Sequence, residues 1–365
     1  MPAVEAYLGL ARKYRPQTFE NLVGQEAVAQ SLTQALRQNR VVHGHLMAGP
    51  RGTGKTSTAR ILARALNCAE GPTAIPCGVC RHCIDIAAGN DLDVIEIDGA
   101  SNNSVDNIRE LRERVNLAPF AARYKVYIID EVHMLSPGAF NALLKTLEEP
   151  PAGVIFIFAT TELEKVPETI CSRCALHQFR RITTEDILRR LNQVAQAEGV
   201  GLAPDAAREI FGHIARAVDG GMRDALMIFD QLLALTDGKP DAEAAIKLLG
   251  LADPGALAHA VDWLAEGRAD QLLRLVEELV ERGRSLERFV KELIAYLRDL
   301  MLLQAGVGEG LVALTGEGLE RARAQARAIH PAPLYNILNQ MFELEERLKL
   351  STQARFLLEF TFLRL

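Results

Sequence analysis

The run GPRGTGKT, Gly49-Pro50-Arg51-Gly52-Thr53-Gly54-Lys55-Thr56, sets glycines, a lysine and a hydroxyl at the spacing G-x-x-x-x-G-K-[ST]. Glycines let a backbone wrap tightly and aim its N–H groups at one point, which suits a chain of phosphates. Lys55 would reach the outer phosphates and the Thr56 hydroxyl would help to hold Mg2+, with Ser57 beside it at the start of a helical segment. Downstream, KVYIIDEVH delivers Asp130 and Glu131 at the end of an apolar run. Asp130 suits the Mg2+ shell, and Glu131 is the candidate to polarise a water attacking the γ-phosphate. An Asp-Glu pair after a strand is weak alone, because acidic residues also cap helices; the phosphate loop gives it weight. ATP and Mg2+ are the expected ligands. His133 reads as a packed or surface histidine and is assigned no chemistry.

A second constellation is built of thiols. Cys68, Cys77, Cys80 and Cys83 have the spacing C-x8-C-x2-C-x2-C, two overlapping C-x-x-C turns with a further cysteine upstream. Four thiolates close a tetrahedral shell, the arrangement of structural Zn2+, with no position left for catalysis. An iron–sulfur cluster uses the same ligands and is the alternative. Gly71, Pro72, Pro76 and Gly78 mark a loop, where buried unrelated cysteines are not expected. His82 could replace one ligand, though four thiols suffice. The remaining pair, Cys171 and Cys174, flanks Arg173 in TICSRC and alone resembles half a metal knuckle or a redox pair. Since the first cluster supplies its own ligands, Cys171 and Cys174 are expected to be structural.

These residues need elements to position them. The apolar runs at 45–49, 92–98, 125–131 and 153–161 barely alternate, as strands covered on both faces do. Helical segments at 55–67 and 136–149 lie between them, the second opening on Ser136-Pro137 and stopping at Pro150-Pro151. The fold class is therefore α/β, a parallel sheet flanked by helices. From 182 the pattern turns helical, 236–244 reads as a linker, and the remainder is wholly helical. Domains are expected at 1–181 (with the cysteine insertion at about 68–83), 182–238 and 239–365.

The 365 residues are 24% charged, 48% hydrophobic and 5% aromatic, with a formal charge of −6. That balance suits a globular protein and argues against both a uniformly basic nucleic-acid coat and an aromatic stacking platform. No apolar run approaches the ~20 residues of a membrane span, and the first residues lack a signal-peptide pattern, so a cytoplasmic location without membrane contact is expected. Reduced thiols there favour metal over disulfides.

Taken together, LARKYRPQTFENLVGQE (10–26), the phosphate loop and its helix, the four-cysteine insertion, IDEVHMLSPGAFNALLKTLEEPP (129–151) and TICSRC resemble the gamma/tau subunits of the bacterial DNA polymerase III clamp loader. The likeness is dense over the first ~235 residues and one of organisation beyond them. It implies an AAA+ ATPase with a small helical lid and an all-α collar that oligomerises. It also implies an adenosine pocket at Ala11, Arg15 and Val23, a first sensor at Thr161 and a second sensor at Arg223 on the lid. Arg173 would be an arginine finger acting in trans, at the neighbouring subunit's ATP. Arg109, Ser136 and Thr169 match DNA-backbone positions, whereas Ser104 stands where a basic residue is expected.

The partners implied are delta, delta-prime and further gamma/tau copies in a ring-like hetero-pentamer, the beta sliding clamp, and primer–template DNA. The function expected is ATP hydrolysis that drives loading of the clamp, as part of the polymerase holoenzyme. A branch-migration type of AAA+ motor, a non-enzymatic clamp-loader scaffold and a thiol redox protein are the rivals. The sequence ends at Leu365 on an apolar helix; longer family members carry a tail there, which leaves a short natural form or a truncation open.

Overall fold

The computed structural model describes residues 7–103, 115, 117–251, 254–306, 312, 314, 316–351 and 353–365. The chain forms two compact units, Met1–Asp241 and Ala242–Leu365.

The first unit is organised by a five-stranded parallel sheet of β1 (Gly44–Ala48), β2 (Val94–Asp98), β3 (Lys125–Asp130), β4 (Val154–Thr160) and β5 (Ala175–Gln178). Its order is β2-β3-β4-β1-β5. β1 and β4 are buried at every residue, and β3 at all but its last. Alternate residues feed two apolar layers. Met47, Val126, Ile128, Ile155 and Ile157 pack with α2 (Glu26–Arg37) and α3 (Lys55–Asn67) on one face. On the other, Leu46, Tyr127, Ile129, Phe156 and Phe158 pack with α5 (Pro137–Glu148). That two-sided burial is why the strands read as unbroken apolar runs.

Smaller elements complete this part: α1 (Leu10–Lys13), α4 (Arg81–Ala88) and α6 (Glu168–Cys171). Helix α5 starts as its sequence demands, with Pro137 in the first turn and the Ser136 hydroxyl accepting from the Ala139 N–H at 3.3 Å. The four strands and two helices anticipated from the sequence are present. β5 adds a fifth strand that was not anticipated: it has four residues, and only His177 is buried. His177 Nε2 lies 3.1 Å from Nδ1 of His45 on β1. Burial pushes His45 down to about 3 and also lowers His177, so the pair is neutral.

Helices α7 (Thr184–Ala197), α8 (Pro204–Ala217) and α9 (Met222–Leu235) belong to the same compact unit. Thr183 caps α7 by accepting from the Asp186 N–H at 3.2 Å. Phe211 of α8 meets Phe229 of α9 edge-on, with ring centroids 5.2 Å apart. The N-terminal segment is fastened to these helices. The Tyr7 hydroxyl donates to Asp230, the Leu10 N–H donates to the same carboxylate at 3.2 Å, and Lys13 pairs with Glu198 at 2.7 Å.

The second unit holds α10 (Ala242–Leu249), α11 (Pro254–Glu266), α12 (Ala269–Glu281), α13 (Leu286–Gln304), α14 (Gly316–Ala328), α15 (Pro331–Leu348) and α16 (Ala354–Arg364). Helix α10 begins at Ala242, inside the stretch that reads as a linker. A leucine-rich core runs through the unit with α13 at its centre. The Gln325 amide is satisfied within it: Nε2 donates to Ala258 O at 2.8 Å and to Asp262 at 2.5 Å, and Oε1 accepts from Tyr296.

Candidate nucleotide site

Because the sheet is parallel, the carboxyl ends of β3, β4 and β1 lie side by side along one edge. Open α/β sheets bind ligands at that edge. Loop 49–54 follows β1, Asp130 and Glu131 close β3, and Thr160 and Thr161 close β4. Gly54 adopts φ 103°, which turns the loop into the amino end of α3 and aims that helix's free N–H groups inward.

Within the loop, buried Lys55 donates from Nζ to Gly49 O at 2.7 Å and to Pro50 O at 2.8 Å. Burial pulls its ammonium below the usual lysine range, against an upward pull from Glu131 and Asp130. The Thr56 hydroxyl donates to Asp130 Oδ2 at 2.8 Å. This is the hydroxyl–carboxylate pair that a P-loop site uses to hold Mg2+. Glu131 sits at φ 46°, and its Oε2 accepts from the Thr161 hydroxyl at 3.0 Å.

One cavity brings most of the anticipated residues together. Arg51 to Ser57, Asp130 and Glu131 line it together with Ala11, Arg15 and Val23. Arg223, in the first turn of α9, completes it from the helical side. That approach depends on glycines: a Cβ on Gly52 would lie 3.1 Å from the Gly221 Cα, so the loop and the turn before α9 pack backbone to backbone. The Arg223 N–H donates to Gly52 O at 3.4 Å. Arg15 is lowered by burial and by the neighbouring cations Arg60, Arg223 and Arg12, against an upward pull from Glu96. This surplus of positive charge suits an anion.

Gly49 and Pro50 contribute carbonyls to Lys55 without lining the cavity, and Thr161 reaches it through Glu131. Tyr14, Arg190 and Leu226 also line it and were not anticipated. Arg190 donates to Tyr14 O at 3.2 Å. In sequence it belongs to the polar face of an amphipathic helix, and no local pattern separates it from its exposed neighbours.

The four cysteines of the insertion converge. Their Sγ atoms all lie within 4.8 Å of one another, with Cys77 and Cys83 at 4.0 Å. Tetrahedral Zn–S bonds require sulfurs about 3.8 Å apart, so the set fits Zn2+. Backbone N–H groups of Cys77 and Cys80 point at the sulfurs of Cys68 and Cys77, at 3.3 and 3.4 Å. His82 turns away, its Nδ1 lying 2.9 Å from Asp91.

Cys171 and Cys174 stand apart from that cluster and pack against the apolar layer beneath α5. Burial pushes the Cys174 thiol up to about 12, the behaviour of an inert core thiol. Arg173 between them does not line the cavity. It donates to Thr169 O at 2.7 Å and to Glu148 Oε1 at 2.5 Å. Thr169 is exposed, and Ser136 is half-buried in its cap. Arg109 and Ser104 lie outside the described residues.

The parallel sheet, and the helices packed over its phosphate loop, make the first unit an AAA+ ATPase fold. Three family models then match in succession. One described as "DNA polymerase III, delta subunit" covers residues 24–183, and "DNA polymerase III clamp loader subunit, ATPase lid domain" covers 186–238. "DNA polymerase III subunits gamma and tau domain III" covers 241–365. The chain belongs to the DNA polymerase III gamma/tau family.

It is 42% identical over 355 residues to DNA polymerase III subunit tau of Bacillus subtilis, covering 97% of this chain and 62% of that protein. DNA polymerase III subunit gamma of Buchnera aphidicola is 36% identical over 299 residues, covering 82% of this chain and 81% of that one. Among solved structures, the RuvB Holliday junction branch migration motor of Thermotoga maritima aligns at a TM-score of 0.48 and 19% identity, over 68% of this chain and 79% of that one. The chain thus spans just over three fifths of the length of the first relatives that it matches. Among the described residues, no helix is long and apolar enough to cross a membrane.

Proposed function

We propose that this chain is an ATP-hydrolysing motor subunit of a clamp loader, which places the beta sliding clamp on primer–template DNA with delta, delta-prime and further gamma/tau copies. The observation that carries the reading is the division of the site. Lys55, Thr56, Asp130, Glu131 and Arg223 gather in one cavity, while Arg173 is held outside it in the turn that follows α6. A complete phosphate site with an outlying arginine suits a ring in which each subunit finishes its neighbour's site.

In this reading loop 49–57 cradles the phosphates, Thr56 and Asp130 hold Mg2+, and Ala11, Arg15 and Val23 receive the adenosine. Glu131 takes a proton from the attacking water, and Thr161 orients Glu131. Arg223 ties the position of α7–α9 to the phosphates. Zn2+ on Cys68, Cys77, Cys80 and Cys83 is structural. The three functional parts follow 1–181, 182–238 and 239–365. Ser136 and Thr169, at the starts of two helices, offer hydroxyls to the DNA backbone.

ATP hydrolysis measured with clamp and primed DNA tests this. Lys55→Ala is expected to abolish ATP binding. Glu131→Gln should keep it while losing roughly 100-fold or more in turnover. Turnover by Glu131→Gln at the parental rate removes Glu131 as the base, and directional strand unwinding by the chain alone favours the branch-migration alternative.

A further inference from the structure

Helix α3 ends in the run Ile61-Leu62-Ala63-Arg64-Ala65-Leu66-Asn67, in which every residue is buried, the arginine included. Arg64 is only 5% exposed. A guanidinium that deep normally has a carboxylate partner, because an unpaired buried charge loses its hydration without replacement. Its acceptors here are neutral. Nη1 donates to Gln17 O at 3.1 Å and to Gln17 Oε1 at 2.6 Å, while Nε is buried without an acceptor. Among the described residues no carboxylate pairs with it.

The rest of the guanidinium borders the cysteine module. Arg64 precedes Cys68 by one helical turn, and the Cys68 N–H donates to Arg64 O at 2.8 Å. Nη2 lies against the turn between Cys77 and Cys80, since a Cβ on Gly78 would be 3.6 Å from it. The sulfur of Cys77, next to Gly78, is 4.0 Å from that of Cys83. Four thiolates around one Zn2+ leave the site with a net charge of about −2. Water screens that charge poorly at Cys68 and Cys83, which are 1% and 0% exposed. The other arginines of this region are exposed. Arg81 pairs with Asp85 at 3.4 Å, and Arg123 donates from Nη1 to Leu66 O at 3.2 Å.

We propose that Arg64 is the charge partner of the four-cysteine metal site. Its buried positive charge offsets the excess negative charge of the thiolate set, and the thiolates supply the counter-charge that the guanidinium otherwise lacks. Gln17 fixes the guanidinium in place through Nη1. The inference rests on Cys68, Cys77, Cys80 and Cys83 holding Zn2+.

Zinc affinity of the full chain, measured by competition with a chromophoric chelator, tests it. Arg64→Met keeps the apolar stem without the charge. Arg64→Gln also lacks the charge but keeps a donor for Gln17. Each should weaken Zn2+ binding roughly 10- to 100-fold, the usual loss for a group just outside the metal's ligands. Arg64→Lys keeps the charge without the fork and should bind Zn2+ within about threefold of the parent. Co2+ in place of zinc should give the same tetrahedral thiolate absorption in parent and variants, so that a weaker site is still a correctly folded one. Equal affinity in all of them, or a Lys variant as weak as the Met variant, overturns the inference. So does a distorted Co2+ spectrum in both neutral variants, which would make Arg64 a packing residue of the loop. A parent that binds no zinc removes the metal site and the inference with it. Tight zinc in the parent and in both neutral variants removes only the role of Arg64.

Discussion

At the scale of single residues, the arginine of TICSRC illustrates how position outweighs identity. Its guanidinium is forked toward the Glu148 carboxylate and the Thr169 carbonyl, a geometry that carboxylates and phosphates satisfy equally well. In an assembled ring a neighbour's γ-phosphate would compete with Glu148. Arg173→Ala is expected to leave ATP affinity within about twofold and to cut clamp- and DNA-stimulated hydrolysis by on the order of 10³-fold. Equal stimulation in parent and variant would exclude Arg173 from the reaction. Spacing alone singled out Lys55 and Thr56, because the chemistry of phosphate and Mg2+ dictates those types in that order, and Asp130 and Glu131 gained weight only beside that loop. Arg173 and Arg223 have no such signature, and only the family resemblance singled them out. Tyr14 and Arg190 escaped altogether, since tertiary packing alone brings them to the cavity.

At the scale of elements, the cysteine insertion is a module joined to the sheet through α3 and α4. Cys68 caps the end of α3, Cys80 caps the start of α4, and Cys83 is buried within α4. A metal there organises the loop between two helices rather than the cavity. Elemental analysis should find about one zinc per chain. Its removal by a chelator should expose the amides of 68–88 to hydrogen exchange while those of β3 and β4 stay protected. Loss of protection across the sheet would instead make the metal part of the core, and iron with visible absorbance would replace zinc as its occupant. The strands that pack on both faces were legible as apolar runs. β5 was not, because Ala175-Leu176-His177-Gln178 is short and buries an imidazole in place of a branched side chain. Its hydrogen-bond partner on the neighbouring strand is another histidine, His45, a contact no periodicity reveals.

At the scale of the whole molecule, the two compact units divide near residue 241, where the match to the lid model gives way to the match to domain III. The change of character was legible, since helical periodicity replaces strand-and-helix alternation after residue 182. The compactness of the first unit was less so: α7–α9 join it through a glycine contact and the fastened N-terminal segment. If the chain is a ring-forming motor, its mass with companion subunits should be that of a five-membered assembly. ATP should tighten clamp binding by that assembly by about tenfold or more, as coupling energies of 1–3 kcal/mol allow. Clamp affinity indifferent to ATP would leave the nucleotide without mechanical work to do.

The fastened N-terminal segment bears on how such work is divided. Residues 10–15 carry part of the cavity wall, yet their polar anchors, Asp230 and Glu198, belong to the helices after residue 182. A nucleotide seated as proposed would have its phosphates at the sheet edge and its base against a segment fastened to Asp230 and Glu198. The two ends of one small molecule are then gripped by separate jaws. If the chain hydrolyses ATP as proposed, shortening of the phosphate chain would change the span between those two grips, and the molecule consumed would itself be the linkage between them.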